Sequence, residues 1–416
     1  MMKLPRVAVA AGLAVMLAGC GTAASTSASA KNHPVTITFD AMEYSAAANK
    51  FFPKFAQEFE KLHPNIKVKV RVINWAAGQQ VLNTEIGGGN PPDVAIIGTR
   101  WLPGYVKDGL IQPLTSFMTP SFAHEFYSAA LNSVKYNGVQ YSLPEAMSVR
   151  LLIYNKNLFK KAGIAGPPKT WTQLAADAIA IHKKTGQSGY ALVGSQVETS
   201  LDYWYTMWGF GGNILKGTKG TANSPADVKA LQFLVNLIHS GGTQPSVTAS
   251  TRSGLEPVFA SGKIGMMIDG PWLVPLALAN KIPIGVANIP SQPGVAAANP
   301  AITDSFVMFK NSHEKASWEF AKFMFTKSVR AYFDKAEGML PTMSLDGSEP
   351  YFRNSPEFSP YLKALAGSTR FEPVVPGFQS VSLAYTNAVE AAYSGALSPQ
   401  AALNQAEPKV TAALKK

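Results

Sequence analysis

Residues 35–97 read VTITFDAMEYSAAANKFFPKFAQEFEKLHPNIKVKVRVINWAAGQQVLNTEIGGGNPPDVAII, and the succession of patterns within them decides the fold class. Val35-Thr36-Ile37-Thr38-Phe39 is a β-branched run that predicts a strand. Phe51, Phe55, Phe59 and Leu62 then recur at helical spacing until His63-Pro64 ends the helix. Pro53 falls either in the first turn or at a kink. Ile66, Val68, Val70 and Val72 alternate with Lys67, Lys69 and Arg71, which predicts a strand with one wet face. The GGGNPP stretch at 87–92 is a turn, and Asp93-Val94-Ala95-Ile96-Ile97 is a buried strand. Strand, helix, strand, helix, strand in this order predict an α/β fold on a mainly parallel, doubly wound sheet.

Outward from this stretch, helix starts are marked by chemistry. Thr170 with Gln173 forms a capping box, and Ser224-Pro225 and Ser398-Pro399 each place a cap before a proline at the first helical position. Trp318, Ala321, Phe325 and Val329 form a further apolar stripe. A chain of 416 residues with 46% apolar and 10% aromatic side chains can bury a sizeable core and suits two or three domains. No internal repeat is visible. Charged residues are 15% of the chain, below the usual share of about 25%. The net charge is +11, from 37 basic against 26 acidic residues. That balance is compatible with an anionic lipid surface, an anionic ligand or an acidic medium. No aromatic-interleaved basic motif points to nucleic acid.

The single cysteine, Cys20, excludes an intramolecular disulfide and any Cys-based zinc cluster. Lys3 and Arg6 precede an apolar run from Val7 to Ala18, too short to cross a bilayer but suited to a signal peptide. Leu17-Ala18-Gly19-Cys20 resembles the lipobox of bacterial lipoproteins. That resemblance implies cleavage after residue 19 and a diacylglycerol on Cys20, an anchor far stronger than one acyl chain. The alternative is an ordinary secretory peptide with an incidental cysteine. Residues 20–33 are small, polar and tether-like. Without residues 1–19 the chain carries 35 basic and 26 acidic groups, or +9.

Four spaced segments carry a second resemblance. Pro92-Asp93-Val94 leads to Trp101, Gly109-Leu110-Ile111 and Pro113-Leu114. Tyr136-Asn137-Gly138 leads to Tyr141-Ser142-Leu143-Pro144, Tyr154-Asn155-Lys156 and Pro168-Lys169-Thr170-Trp171. Phe259 to Met267 leads to Gly270-Pro271-Trp272, and Lys315 to Phe325 leads to Gly338-Met339-Leu340-Pro341-Thr342. In this order, over about residues 34–416, they resemble bacterial extracellular solute-binding proteins of ABC sugar importers, similar to maltose- and trehalose-binding proteins. The resemblance implies a two-lobed periplasmic-binding-protein-like fold (type II) with hinge crossovers. Lobe one would hold 34–143 plus 304–340, and lobe two 144–303 plus 341–416. It also implies closure over a ligand, permease subunits as partners, a monomer, an extracytoplasmic location and no cofactor.

A site for a neutral sugar needs groups that bond hydroxyls and flat aromatic platforms. Ligands of open α/β sheets sit beyond the carboxyl ends of strands. That rule selects Glu43 and Tyr44 after the first strand, and Thr99, Arg100 and Trp101 after Ile97. Arg100 stands where maltose binders carry a carboxylate, which puts maltose itself in doubt. By resemblance, Trp272 stacks on sugar and Glu145 is a cleft carboxylate at the first crossover; the alternatives are core packing and a hinge hydrogen bond. Asp269 either binds a hydroxyl or caps a turn. Asp304 lies near the second crossover. Trp101 reads as a stacking or a packing residue. Trp204 and Trp208, in YWYTMWGFGG, are ligand contacts or buried core. Ser382 and Leu383 occupy the place of an aromatic pair in maltose binders, with Phe378 a substitute one turn earlier. Tyr154 and Trp171 read as structural.

Other chemistries find little support. His33, His63, His124, His182, His239 and His313 show no metal-ligand spacing, and no metal is expected. Gly87-Gly88-Gly89 lacks the rest of a phosphate loop, and no G-x-S-x-G elbow occurs. An enzyme reading would need a carboxylate pair such as Glu145 and Asp269 in a glycoside hydrolase. A binder of a charged solute such as glycerol 3-phosphate would draw on Arg100, whereas polyamine binding would need more carboxylates than this chain offers. The expectation is a carbohydrate of oligosaccharide length, bound without catalysis.

Overall fold

The computed structural model describes residues 34–415, apart from 196–198, 217–218, 312, 345–348, 373–374 and 376. The signal peptide, lipidation at Cys20 and the tether up to residue 33 fall outside the described residues. None of the described helices is long and apolar enough to cross a membrane.

The chain opens as β1 (Val35–Glu43), α1 (Ala48–Leu62), β2 (Ile66–Asn74), α2 (Trp75–Gly87) and β3 (Val94–Gly98). Both expected pairings are parallel, β1 with β2 over the whole of their lengths and β1 with β3. The helix α1 buries Phe51, Phe52, Phe55 and Phe59, and Pro53 lies within it rather than at its edge. Its ring leaves the Asn49 carbonyl without the usual helical donor. Each buried ring contributes about 1.5–3 kcal/mol relative to exposure.

The chain continues through β4 (Ser142–Val149), β5 (Leu151–Asn155), α3 (Trp171–Thr185), β6 (Ser188–Ala191), α4 (Thr199–Gly209), α5 (Pro225–His239) and α6 (Arg252–Ala260). Next come β7 (Ile264–Asp269), α7 (Leu273–Ala279), β8 (Ile284–Ala287), β9 (Asn299–Met308), α8 (Glu314–Met324) and α9 (Lys327–Glu337). The chain ends in β10 (Thr369–Phe371), α10 (Phe378–Tyr393) and α11 (Pro399–Ala413). The predicted capping box forms at Thr170, and Ser224 and Ser398 cap α5 and α11. The stripe from Trp318 to Val329 is buried, but it is split between α8 and α9 by a break at Phe325-Thr326.

Two larger sheets organise these elements. The first runs β10-β9-β3-β1-β2, with β4 also paired to β9. The second runs β8-β5-β7-β6. The mainly parallel expectation holds for β1 to β3 but not throughout. β9 is antiparallel to both β3 and β4, and β5 is antiparallel to β7 and β8. β4 runs almost directly into β5 and so carries the chain from the first sheet to the second.

One apolar core packs the first sheet against α1, α8 and α9, with Phe39, Phe59, Phe306 and Phe320 among its members. A second gathers Trp171, Trp204, Trp208, Tyr385 and Leu403 from α3, α4, α10 and α11. A third lies around β4, β5 and α7 with Tyr361. Close approach is built in at Gly189, where a Cβ would lie 2.1 Å from the Ala178 carbonyl oxygen of α3. Only glycine lets β6 and α3 meet at that distance.

Candidate functional site

A cleft of about 1020 Å³, open to solvent, is lined from both parts of the chain. From β1, β2 and the turn after β3 come Glu43, Tyr44, Asn74, Trp75 and Arg100. From the other side come Ser148, Arg150, Thr251, Arg252, Glu256 and Trp272. Ile302 and Asp304 of β9, with Met339, also line it. The strand-end rule thus operates at β1, β2 and β3 together.

Five of the expected site residues meet here: Glu43, Tyr44, Arg100, Trp272 and Asp304. Tyr44 donates its hydroxyl to Asp304 Oδ2 at 3.1 Å. Burial of that hydroxyl, with the Asp304 and Glu145 carboxylates nearby, holds the phenol pKa well above its ordinary value. Glu43 accepts from the side-chain amides of Asn49 at 2.7 Å and Asn74 at 3.1 Å. Trp272 donates its indole N–H to Glu256 Oε1 at 2.8 Å, and the Arg150 guanidinium lies 4.1 Å from its ring centroid. These contacts fix the indole plane while leaving it partly exposed.

The remaining expected residues lie elsewhere, for definite packing reasons. Thr99 is buried and shares a 2.8 Å hydrogen bond with Ser305. Trp101 is 6% exposed and meets Trp75 edge to face, with ring centroids 5.8 Å apart. It lies behind the cleft, and Trp75 is the indole that lines it. Trp204 is fully buried against Phe378 and Tyr385, while Trp208 is covered by the Arg370 guanidinium at 4.6 Å. Phe378 belongs to that same core, so it does not replace the missing aromatic pair in the cleft. Ser382 shares a 2.8 Å hydrogen bond with Ser200, and Leu383 is exposed.

Glu145 and Asp269 are both fully buried, and neither lines the cleft. Arg330 Nη1 lies 3.0 Å from Glu145 Oε1, and Nη2 donates to Asp334 at 2.9 Å. Burial raises the Glu145 pKa, with Arg330 pulling against it. Asp269 accepts from Arg252 at 3.2 Å and from the Gly270 amide at 2.8 Å, which is the turn-capping reading. Arg252 also pairs with buried Asp202 and donates to the Ile268 carbonyl at 2.8 Å. Asp269 thus acts on the cleft by aiming Arg252 into it.

Sequence reasoning missed Trp75, Asn74, Ser148, Arg150, Arg252 and Glu256. Asn74 and Trp75 follow β2 directly, and the strand-end rule applied there would have found them. Arg252 and Glu256 stand one helical turn apart on α6, which by itself reads as a solvated helix pair.

Comparisons with known proteins agree with this architecture. Residues 44–331 match the family described as bacterial extracellular solute-binding protein. A binding protein of Brucella abortus (strain 2308) is 37% identical over 380 residues, covering 90% of this chain and 92% of its own. The diacetylchitobiose binding protein DasA of Streptomyces coelicolor is 26% identical over 304 residues, 69% of this chain and 68% of its own. A solved ABC transporter solute-binding protein from Thermotoga lettingae, bound with α-D-tagatose, superposes with a TM-score of 0.84 at 24% identity. That alignment covers 91% of this chain and all of the other. The two-lobed α/β fold is therefore shared.

Proposed function

The chain belongs to the bacterial extracellular solute-binding protein family, and on that footing we propose that it is the substrate-binding component of an ABC importer, capturing a carbohydrate in the cleft described above. The observation that carries this reading is that the cleft wall is shared between Glu43, Tyr44, Trp75 and Arg100 on one side and Arg150, Arg252, Glu256 and Trp272 on the other. A ligand touching both sets stabilises the closed arrangement through its contacts with each. The lobes are assigned as residues 34–143 with 304–340, and 144–303 with 341–416.

The lining chemistry suits a sugar. Glu43, Glu256 and Asp304 bring carboxylate oxygens, the acceptors that sugar hydroxyls donate to, into the cleft wall. Ser148, Thr251 and Ser253 supply hydroxyls that both donate and accept. Trp272, part-exposed in the cleft wall, offers its ring to an apolar C–H surface. An oligosaccharide is the expected ligand, because the cleft is open to solvent and a longer chain can extend out of it. Delivery would be to membrane permease subunits, from a protein held at the extracytoplasmic surface by lipid on Cys20. Binding, without turnover, is the function.

A thermal-shift screen against mono-, di- and trisaccharides tests this reading. A ligand that binds only the folded state stabilises it by about 2.7 kcal/mol at a hundred times its dissociation constant. A shift with saccharides supports the proposal. New reducing ends from an oligosaccharide would replace it with catalysis.

A further inference from the structure

Three carboxylates, Glu43, Glu256 and Asp304, and three guanidiniums, Arg100, Arg150 and Arg252, line the cleft. Each carboxylate accepts from a neutral donor: Asn49 and Asn74 on Glu43, Trp272 on Glu256, Tyr44 on Asp304. Arg252 is neutralised by Asp202 and Asp269. Arg150 is engaged by the Trp272 ring and by Ser148 at 3.4 Å. Arg100 differs. Among the described residues its polar contact is with the Trp101 ring alone, 5.6 Å from its centroid, with no ion pair or hydrogen bond.

A guanidinium is a planar fork of donors that matches a carboxylate or a phosphate with two parallel hydrogen bonds. Held half-buried without an anion, it has lost part of its hydration and gained no partner. Arg100 also borders an adjoining open recess, which Lys135 and Glu372 line as well. Arg100 thus lines both openings, and Asp304, across the sheet from Gly98, stands near it in the cleft wall.

We infer that the ligand is an anionic saccharide, whose carboxylate or phosphate is held by Arg100 while its hydroxyls meet Glu43, Asp304 and Glu256. This rests on the carbohydrate reading and narrows it to sugars that carry a negative charge. Ring and charge divide between two kinds of partner, which excludes close neutral analogues because they would leave Arg100 unpaired.

Isothermal titration with matched pairs tests the inference: galacturonate against galactose, digalacturonate against galactobiose, and glucose 6-phosphate against glucose. The anionic member of at least one pair binds at least about tenfold tighter at low salt, and that advantage shrinks as ionic strength rises. Which pair responds separates a carboxylate from a phosphate. Arg100→Gln lowers the anionic-to-neutral affinity ratio by about 10- to 100-fold, and Arg100→Lys restores part of it. Unchanged circular dichroism of the variants keeps a folding defect from counting as support. Equal binding of both members, or a ratio indifferent to Arg100→Gln, overturns the anion and leaves carbohydrate binding standing. Silence across every pair counts against both.

Discussion

The guanidinium of Arg150 lies 4.1 Å from the centroid of the Trp272 indole, and the same indole donates to Glu256 at 2.8 Å. The ring is therefore clamped on one face and at its nitrogen before any ligand arrives. Such preorganisation lowers the cost of ordering the platform on binding. Replacing Arg150 with Met removes a cation–π contact of about 0.5–2 kcal/mol. Saccharide affinity is expected to fall by roughly 2- to 30-fold in titration calorimetry. Tighter binding by Arg150→Met would mean that the guanidinium competes with the sugar for the ring.

Gly270 carries a steric prediction about the same ring. A Cβ there would fall 2.1 Å from Trp272 Cζ3 and 2.2 Å from Cη2, so the indole must move. Gly270→Ala is expected to reproduce most of the affinity loss of a Trp272 deletion while circular dichroism stays native. Wild-type affinity in Gly270→Ala would show that the ring has another productive position.

Arg330 is fully buried with Glu145 and Asp334, at 3.0 and 2.9 Å. Arg330→Met removes the guanidinium that these two buried carboxylates share. The expected loss of stability is about 3–5 kcal/mol in urea unfolding. A loss below about 1 kcal/mol would show that both acids protonate at little cost.

Glu337 sets a pH dependence. Burial and the nearby Glu43 charge push its pKa up from 4.5 to about 7, against the hydroxyl that Ser45 donates at 2.9 Å. The folded state therefore holds a proton that the unfolded chain releases at lower pH. Its stabilising contribution is present below about pH 4.5 and is lost as pH rises through about 7, on the order of 3 kcal/mol in all. Buried Asp227, raised to about 7, adds a change of the same sign. Glu337→Gln should flatten the fall in unfolding free energy between pH 5 and 8 (roughly the span of the titration). An unaltered slope would assign the dependence elsewhere.

The first half of the first sheet was legible because β1, β2 and β3 each carry a local signal: β-branched residues, strict alternation, a buried apolar run. Of the two residues β9 contributes to the cleft, Asp304 was legible from its place near a crossover and Ile302 was not. The antiparallel course of β9 was not, since its partners β3 and β4 lie over 150 residues upstream and pairing direction leaves no mark on a single strand. Within the site, Glu43, Tyr44 and Arg100 were found by one geometric rule, which also selected Thr99 and Trp101, both buried outside the cleft. Trp204, Trp208 and Phe378 were harder, because an aromatic-rich helix reads alike whether its rings meet a sugar or one another. Arg252 needs Asp202, fifty residues away, to become a positioned cleft group, and no local pattern announces such a pair.

The central claim is that this cleft is the carbohydrate site, and calorimetric titration of Trp272→Ala beside the wild type tests it most directly. With the saccharide that gives the largest thermal shift, loss of the platform should weaken binding by roughly 5- to 150-fold, about 1–3 kcal/mol. Equal affinity of the two proteins would contradict the account and move the binding site away from Trp272.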